Sequence, residues 1–262
     1  MASRRGRVLA AVMTAVGVTA AGVACEQSPR ALEPTTINGT TTGSAATTTT
    51  PTTPTTSAPA PRDFPYQPLW PFADADAAAA WQESYRSGGH QPWHLDAEAT
   101  TIAFTTDHLG FTEIDQVLAS DVRDDEAWVT VGYAVEQSKP GTAAVVHLAR
   151  IGAGQNAPWE VVGTRDTTLT LTQPRYGTTV SSPVTVGGQV TGVDESIRVQ
   201  VIGPSGGLGD SCCLAAGGED TPWSTTVTYQ GATGDALTIV ASTGGHVTEV
   251  ERFAITGVRP AA

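Results

Sequence analysis

Three groups of side chains in this sequence have types and spacings that chemistry could use. Gly203-Pro204-Ser205-Gly206-Gly207 matches G-x-S-x-G, the turn on which α/β-hydrolases raise a serine nucleophile, and it follows a segment that reads as a strand. Such an elbow needs a helix after it and a histidine as base. Here Pro204 and the glycines extend a loop, and His246 is the only histidine downstream. The pattern therefore predicts a connection between strands, with no catalytic residue assigned. His90-Gln91-Pro92-Trp93-His94 and Asp96 bring three metal-capable groups together, but Pro92 breaks the helical face that H-x-x-x-H sites use. They are predicted to lie in a linker between helices, with Trp93 packed as an anchor. Asp121, Asp124, Asp125 and Glu126 lack the spacing and central glycine of an EF-hand loop, which leaves a solvated turn. No metal and no cofactor is assigned.

The N-terminus reads as an export signal. Arg4, Arg5 and Arg7 precede an uncharged run from Val8 to Ala24, too short for a spanning helix with proper flanks. Ala24-Cys25 resembles the end of a bacterial lipobox, whose cysteine is diacylated and becomes the new N-terminus; Gly22 stands where such motifs usually carry leucine, and the alternatives are ordinary signal-peptidase cleavage after Ala24 or an uncleaved anchor. Removing residues 1–25 takes away three of fourteen basic residues and none of twenty-six acidic ones, moving the formal charge from −12 to −15. With Lys139 as its only lysine, such a chain repels phosphate backbones, and nucleic acid is excluded as a partner. Residues 26–62 are Thr, Pro, Ala, Ser and Gly with nothing to bury, predicted as a disordered tether. Extended at ~3.1 Å per residue, it reaches roughly 100 Å. Asn38-Gly39-Thr40 fits the glycosylation sequon, although an unmodified spacer fits equally well.

Cys212-Cys213 is the unusual pair. An oxidising exterior leaves few thiols unpaired, and with Cys25 consumed by lipid these two remain. A vicinal disulfide is expected, the alternatives being two separate buried thiols or an intermolecular bridge. No C-x-x-C is present to support thioredoxin-like chemistry.

The elements that must position these residues fall into two predicted domains, 63–166 and 167–262. In the first, an aromatic lead-in (Phe64, Tyr66, Trp70, Phe72) precedes a helix capped by Asp74 and stopped near Gly88-Gly89. Asp96 caps a second helix through His108, with Ala99, Ile102, Ala103 and Thr106 at helical spacing. After the turn at Asp121–Glu126, three period-2 strands follow: one through Val129, Val131, Tyr133 and Val135, one over about 142–151, and one over 159–164. Two helices and a curved antiparallel sheet suggest an α+β domain, cystatin-like or NTF2-like by analogy.

The second domain reads as an all-β sandwich with strands over 168–172, 184–190, 197–202, 225–229, 237–241 and 247–255, and a Gly-rich loop over 203–218. Pro174, Val180-Ser181-Ser182-Pro183-Val184-Thr185-Val186-Gly187-Gly188, Ile197-Arg198-Val199, Pro222-Trp223 and Leu237-Thr238-Ile239 together resemble the immunoglobulin-like domain associated with bacterial spore-germination proteins, found also in envelope lipoproteins. The resemblance implies an accessory, non-catalytic module with no catalytic residues to carry over. The expectation is an extracytoplasmic, lipid-anchored binding module. It would be held to the membrane through Cys25 and face an envelope-protein or cell-wall partner. The competing class is an envelope hydrolase, with its site in the first domain or around Ser205.

Overall fold

The computed structural model of the chain describes residues 64–261, within one compact unit, Thr56–Ala262. The predicted export signal with Cys25, the predicted tether and its Asn38 lie outside the described residues. Among the described residues, no helix is long and apolar enough to cross a membrane.

Helix α1 (Ala75–Gly88) starts where Asp74 Oδ1 accepts the Ala77 N–H at 2.7 Å and ends at Gly89, whose φ of 68° suits a left-handed cap. After a 3-10 turn (Pro92–Leu95), Asp96 Oδ1 accepts from Glu98 and Ala99 N–H and opens α2 (Ala97–Ala103), which widens into a π turn over Phe104–His108. The buried side of α2 differs from the predicted Ala99-Ile102-Ala103-Thr106 stripe. Ala97, Thr100, Thr101, Phe104 and Thr105 face inward instead. Phe104, the largest apolar group, sets the face. The threonines can follow it because their hydroxyls bond back to carbonyls, Thr101 to Ala97 at 2.7 Å and Thr105 to Ile102 and Ile114 at 2.9 Å.

The first sheet is an antiparallel meander, β1 (Gln116–Arg123), β2 (Glu126–Tyr133), β3 (Gly141–Arg150) and β4 (Trp159–Arg165), in that order. Strand β1 is a correction to the sequence reading, which has no strand there. It takes in part of the polar turn, reducing the turn to Asp124-Asp125. As an edge strand with no fully buried side chain, β1 carries none of the apolar alternation by which strands are recognised.

The second sheet has the order β5-β9-β8-β6-β7, from β5 (Thr179–Val180), β6 (Val184–Gly203), β7 (Gly206–Val227), β8 (Leu237–Thr243) and β9 (Arg252–Pro260). Two predicted strands, 184–190 and 197–202, are halves of the single strand β6. Val184, Val186 and Val190 face the same buried cluster as Ile197, Val199 and Val201. The inward positions change from even to odd across register shifts between Val190 and Glu195, so the strand bends and both halves cover one core. The predicted loop 203–218 is a hairpin tip and the first half of β7, paired with β6 except at bulges. Residues 168–173 contribute bridges from Leu169 to Val190 and Gln173 to Gly187 rather than a full strand. Gly188 permits this close pass, since a Cβ there would lie 2.0 Å from the Thr170 carbonyl oxygen.

Strand β8 is buried at every position. Leu237, Ile239 and Ala241 face the hairpin core, while Val240, with Ile202, Phe253 and Ile255, joins the core that holds Phe104, Val129 and Trp159. The halves on either side of the 166/167 boundary are therefore joined by a common core. The lead-in adds a clasp: Gln67 donates to the Asp235 and Val258 carbonyls at 2.8 and 3.1 Å, and its backbone exchanges hydrogen bonds with Tyr176 Oη.

Candidate functional site

Where the π turn of the first half faces the sheet of the second, a cleft of about 360 Å³ opens. One wall is the segment Leu109–Ile114. Gly110, at φ 75°, turns the chain there, and the Phe111 N–H reaches back to Thr105 O at 2.8 Å. The other wall is the surface of β6, β7 and β8, presenting Ser196, Arg198, Gln200, Cys212 and Ser242. Glu249 and Val250 of the β8–β9 loop close one end; the Glu113 carboxylate ties the two walls by accepting from Thr248 Oγ1 and, at 3.3 Å, from Glu249 N–H.

Cys212 and Cys213 are bonded to each other. They sit on β7, away from any free loop. Val199 pairs with Ser211 and Ile197 with Leu214, so the two cysteines together stand opposite Arg198, forming a bulge. Cys213 takes φ 77°, a left-handed conformation unusual for a residue other than glycine. The bulge aims Cys212 and Arg198 at the cleft, and Arg198 is paired with Asp210 at 3.4 Å on an exposed surface.

Beneath this end of the molecule two acids of the second half, Glu195 and Glu251, are tightly held. Glu195 accepts from Thr243 Oγ1 at 2.5 Å and pairs with Arg252 at 2.8 Å. Burial works against ionisation of Glu251, but N–H groups of Val247 and His246, at 2.7 and 2.6 Å, outweigh it and hold its carboxyl below the usual range.

The other candidates disperse. Ser205 occupies the exposed two-residue connection between β6 and β7, where Gly203 pairs with Gly206; among the described residues no hydrogen bond joins it to a histidine. His246 lies 3.9 Å from Glu251. His90 is exposed, Asp96 is a helix cap, and His94 is buried among the rings of Phe72, Trp81 and Trp93. Among the described residues no three His, Cys, Asp or Glu side chains gather as a metal site.

Sequence reasoning misses Glu160. It is fully buried, accepts the Phe72 N–H at 3.0 Å, and burial drives its carboxyl well above the ordinary range. The signal is an acid inside the run Trp159-Glu160-Val161-Val162. It also misses a ring ladder on the outer face of the first sheet. His147 stacks on Trp128 at 4.9 Å, Tyr66 meets His147 edge-on at 5.3 Å, and Arg165 lies 5.2 Å over Trp128. Tyr66 Oη donates to Glu126, which with burial pushes the phenol up to about 12.

No known protein-family model matches the chain, and no curated protein matches it significantly.

Proposed function

We propose that the protein is an exported envelope lipoprotein, anchored through Cys25, that works as a binding or accessory module through the cleft beside Cys212. The observation that carries this reading is the character of the cleft wall. Hydroxyl, amide, guanidinium and carboxylate groups converge with the apolar side chains of Phe111 and Val250, in a volume suited to a small ligand or an inserted peptide. This set hydrogen-bonds and covers a guest; its one sulfur is tied up in the disulfide. The immunoglobulin-like reading of the second half is supported by the Ser-Pro-Val segment opening β6 and by Trp223, buried opposite Gly188. A sheet with α2 across it supports the cystatin-like or NTF2-like reading of the first.

The test places a photocrosslinking residue at Gln200 of the full chain in the envelope, with Glu83 on exposed α1 as the control position. A discrete adduct from position 200 alone, in the membrane fraction, and its move to the soluble fraction in Cys25→Ser, is the expected result. No adduct specific to 200 overturns the cleft reading. An unchanged fraction in Cys25→Ser overturns the anchor.

A further inference from the structure

A second groove, of about 430 Å³, lies between the outer face of β4 and the segment 171–176, sharing no residue with the cleft. Its aromatic residues are Tyr66, His147 and Tyr176. Both phenols are pinned: Tyr66 Oη by Glu126, and Tyr176 Oη by the Gln67 backbone at 2.6 and 3.1 Å. Tyr176 nevertheless stays 42 % exposed, so its ring is presented while its hydroxyl is occupied. A fixed, exposed ring is an organised apolar surface, and ordering it costs little on binding. Burial lowers the His147 pKa, which favours the neutral imidazole, the form that stacks as an ordinary aromatic ring.

Two further features narrow the guest. Gly163 lines the groove with nothing within 4 Å of where a Cβ would stand, so the space over the sheet is open. Arg175 stands at the rim, exposed, and among the described residues no carboxylate lies within ion-pair distance of it, in a chain carrying twenty-six acidic residues. Thr172 adds an exposed hydroxyl, whereas Thr164 Oγ1 is held by the Ile255 backbone and Thr256 is buried. The exposed Tyr176 ring suits the C–H face of a pyranose, the Thr172 hydroxyl one of its OH groups, and an unpaired guanidinium a carboxylate held by two N–H bonds.

We infer that this groove is a binding site for an acidic glycan, a run of pyranose rings carrying carboxylates. The net negative charge of the chain repels polyanions in general, so binding there is local recognition.

The experiment is calorimetric titration of the full chain with trigalacturonate and, in parallel, with neutral tri-N-acetylchitotriose. The proposal expects a Kd below about 1 mM for the acidic trimer and at least tenfold weaker binding of the neutral one. Gly163→Ile fills the groove with a side chain a strand accepts, because Gly163 lies in β4 without a positive φ and a Cβ there meets no atom within 4 Å, and should abolish binding. Arg175→Gln should weaken it about tenfold or more. No binding of the acidic trimer, equal binding of the neutral one, or a Gly163→Ile chain that folds and binds like the parent each overturns the proposal. Gln200→Trp, in the cleft, should leave this affinity unchanged, so the two sites fail or stand separately.

Discussion

The two halves of the molecule bury ionisable groups on opposite terms. In the helix-covered half, His94, His108 and Glu160 go under without an ion-pair partner among the described residues, and each shifts its pKa in the direction that favours its uncharged form. In the hairpin half, Glu195 is as deeply buried but has Arg252 and Thr243 against it, and Glu251 has two backbone N–H donors. Burial alone therefore does not determine protonation; the available partners do. The buried groups of the first half should therefore make stability depend on pH. Because the halves share a core, the consequence should reach the whole molecule.

The sharing is the part of that comparison most easily broken. Phe253 belongs to β9 yet packs on Phe111 at 5.5 Å and lies in the cluster with Phe104 and Val129. Phe253→Ala should cost about 3–5 kcal/mol, lowering one cooperative melting transition by roughly 10 °C. Differential scanning calorimetry decides it. Two separable transitions, only one of them shifted, would show that the halves melt independently and that the common core is incidental.

The pH dependence sharpens the comparison within the first half. Burial lowers both imidazoles from 6.5 to about 4. Between those values the unfolded chain binds protons that the fold refuses. The stability owed to neutral His94 and His108 is complete above about pH 6.5 and lost as the pH falls toward 4. Allowing for partial solvent contact, the loss is about 2 kcal/mol per ring. Glu160 acts in the other direction. Its raised pKa means that the fold keeps a proton the unfolded chain releases above 4.5, so stability falls as pH rises from there through the folded value. Replacing His94 by Phe should flatten the acid limb. Glu160→Gln keeps the acceptor for the Phe72 N–H and should gain a few degrees over the parent at pH 8, and nothing at pH 4. A melting-temperature difference constant across that range would remove the Glu160 argument.

These behaviours divide along what a sequence displays. The caps Asp74, Gly89 and Asp96 and the alternation through Val129, Val131 and Tyr133 are local, and the structure uses them as their types imply. Strand β8 also shows itself, because burial on both faces leaves Leu237 to Ala241 apolar but for Thr238. Strand β1 does not, since an exposed edge imposes no pattern. The first half of β7 does not either: its Gly-rich segment becomes strand only because β6 offers it a partner across the chain. The candidate sites suffer most. Cys212 and Arg198 meet through a bulge register, and Tyr66 and His147 through a pairing between segments 81 residues apart. No local spacing encodes either meeting.

The smallest effect on stability belongs to the residues with the most conspicuous chemistry. A bond between Cys212 and Cys213 closes no chain beyond the pair itself, so the loop-entropy contribution that gives distant bridges about 3 kcal/mol or more has nothing to act on. Both residues are exposed and neither belongs to a buried cluster. Cys212→Ser with Cys213→Ser should therefore shift the melting temperature by no more than about 2 °C, which is at most about 1 kcal/mol. What the pair holds is local. It fixes Cys213 in a left-handed conformation and the bulge opposite Arg198, so the double variant should speed amide exchange at residues 210–215 and reduce crosslinking from Gln200. Mass spectrometry of the alkylated, non-reduced protein checks the premise, and two alkylated thiols would sink it. A loss of more than about 5 °C in the double variant, with the bond present in the parent, would mean that the bulge anchors the hairpin and that the second half depends on this ring after all.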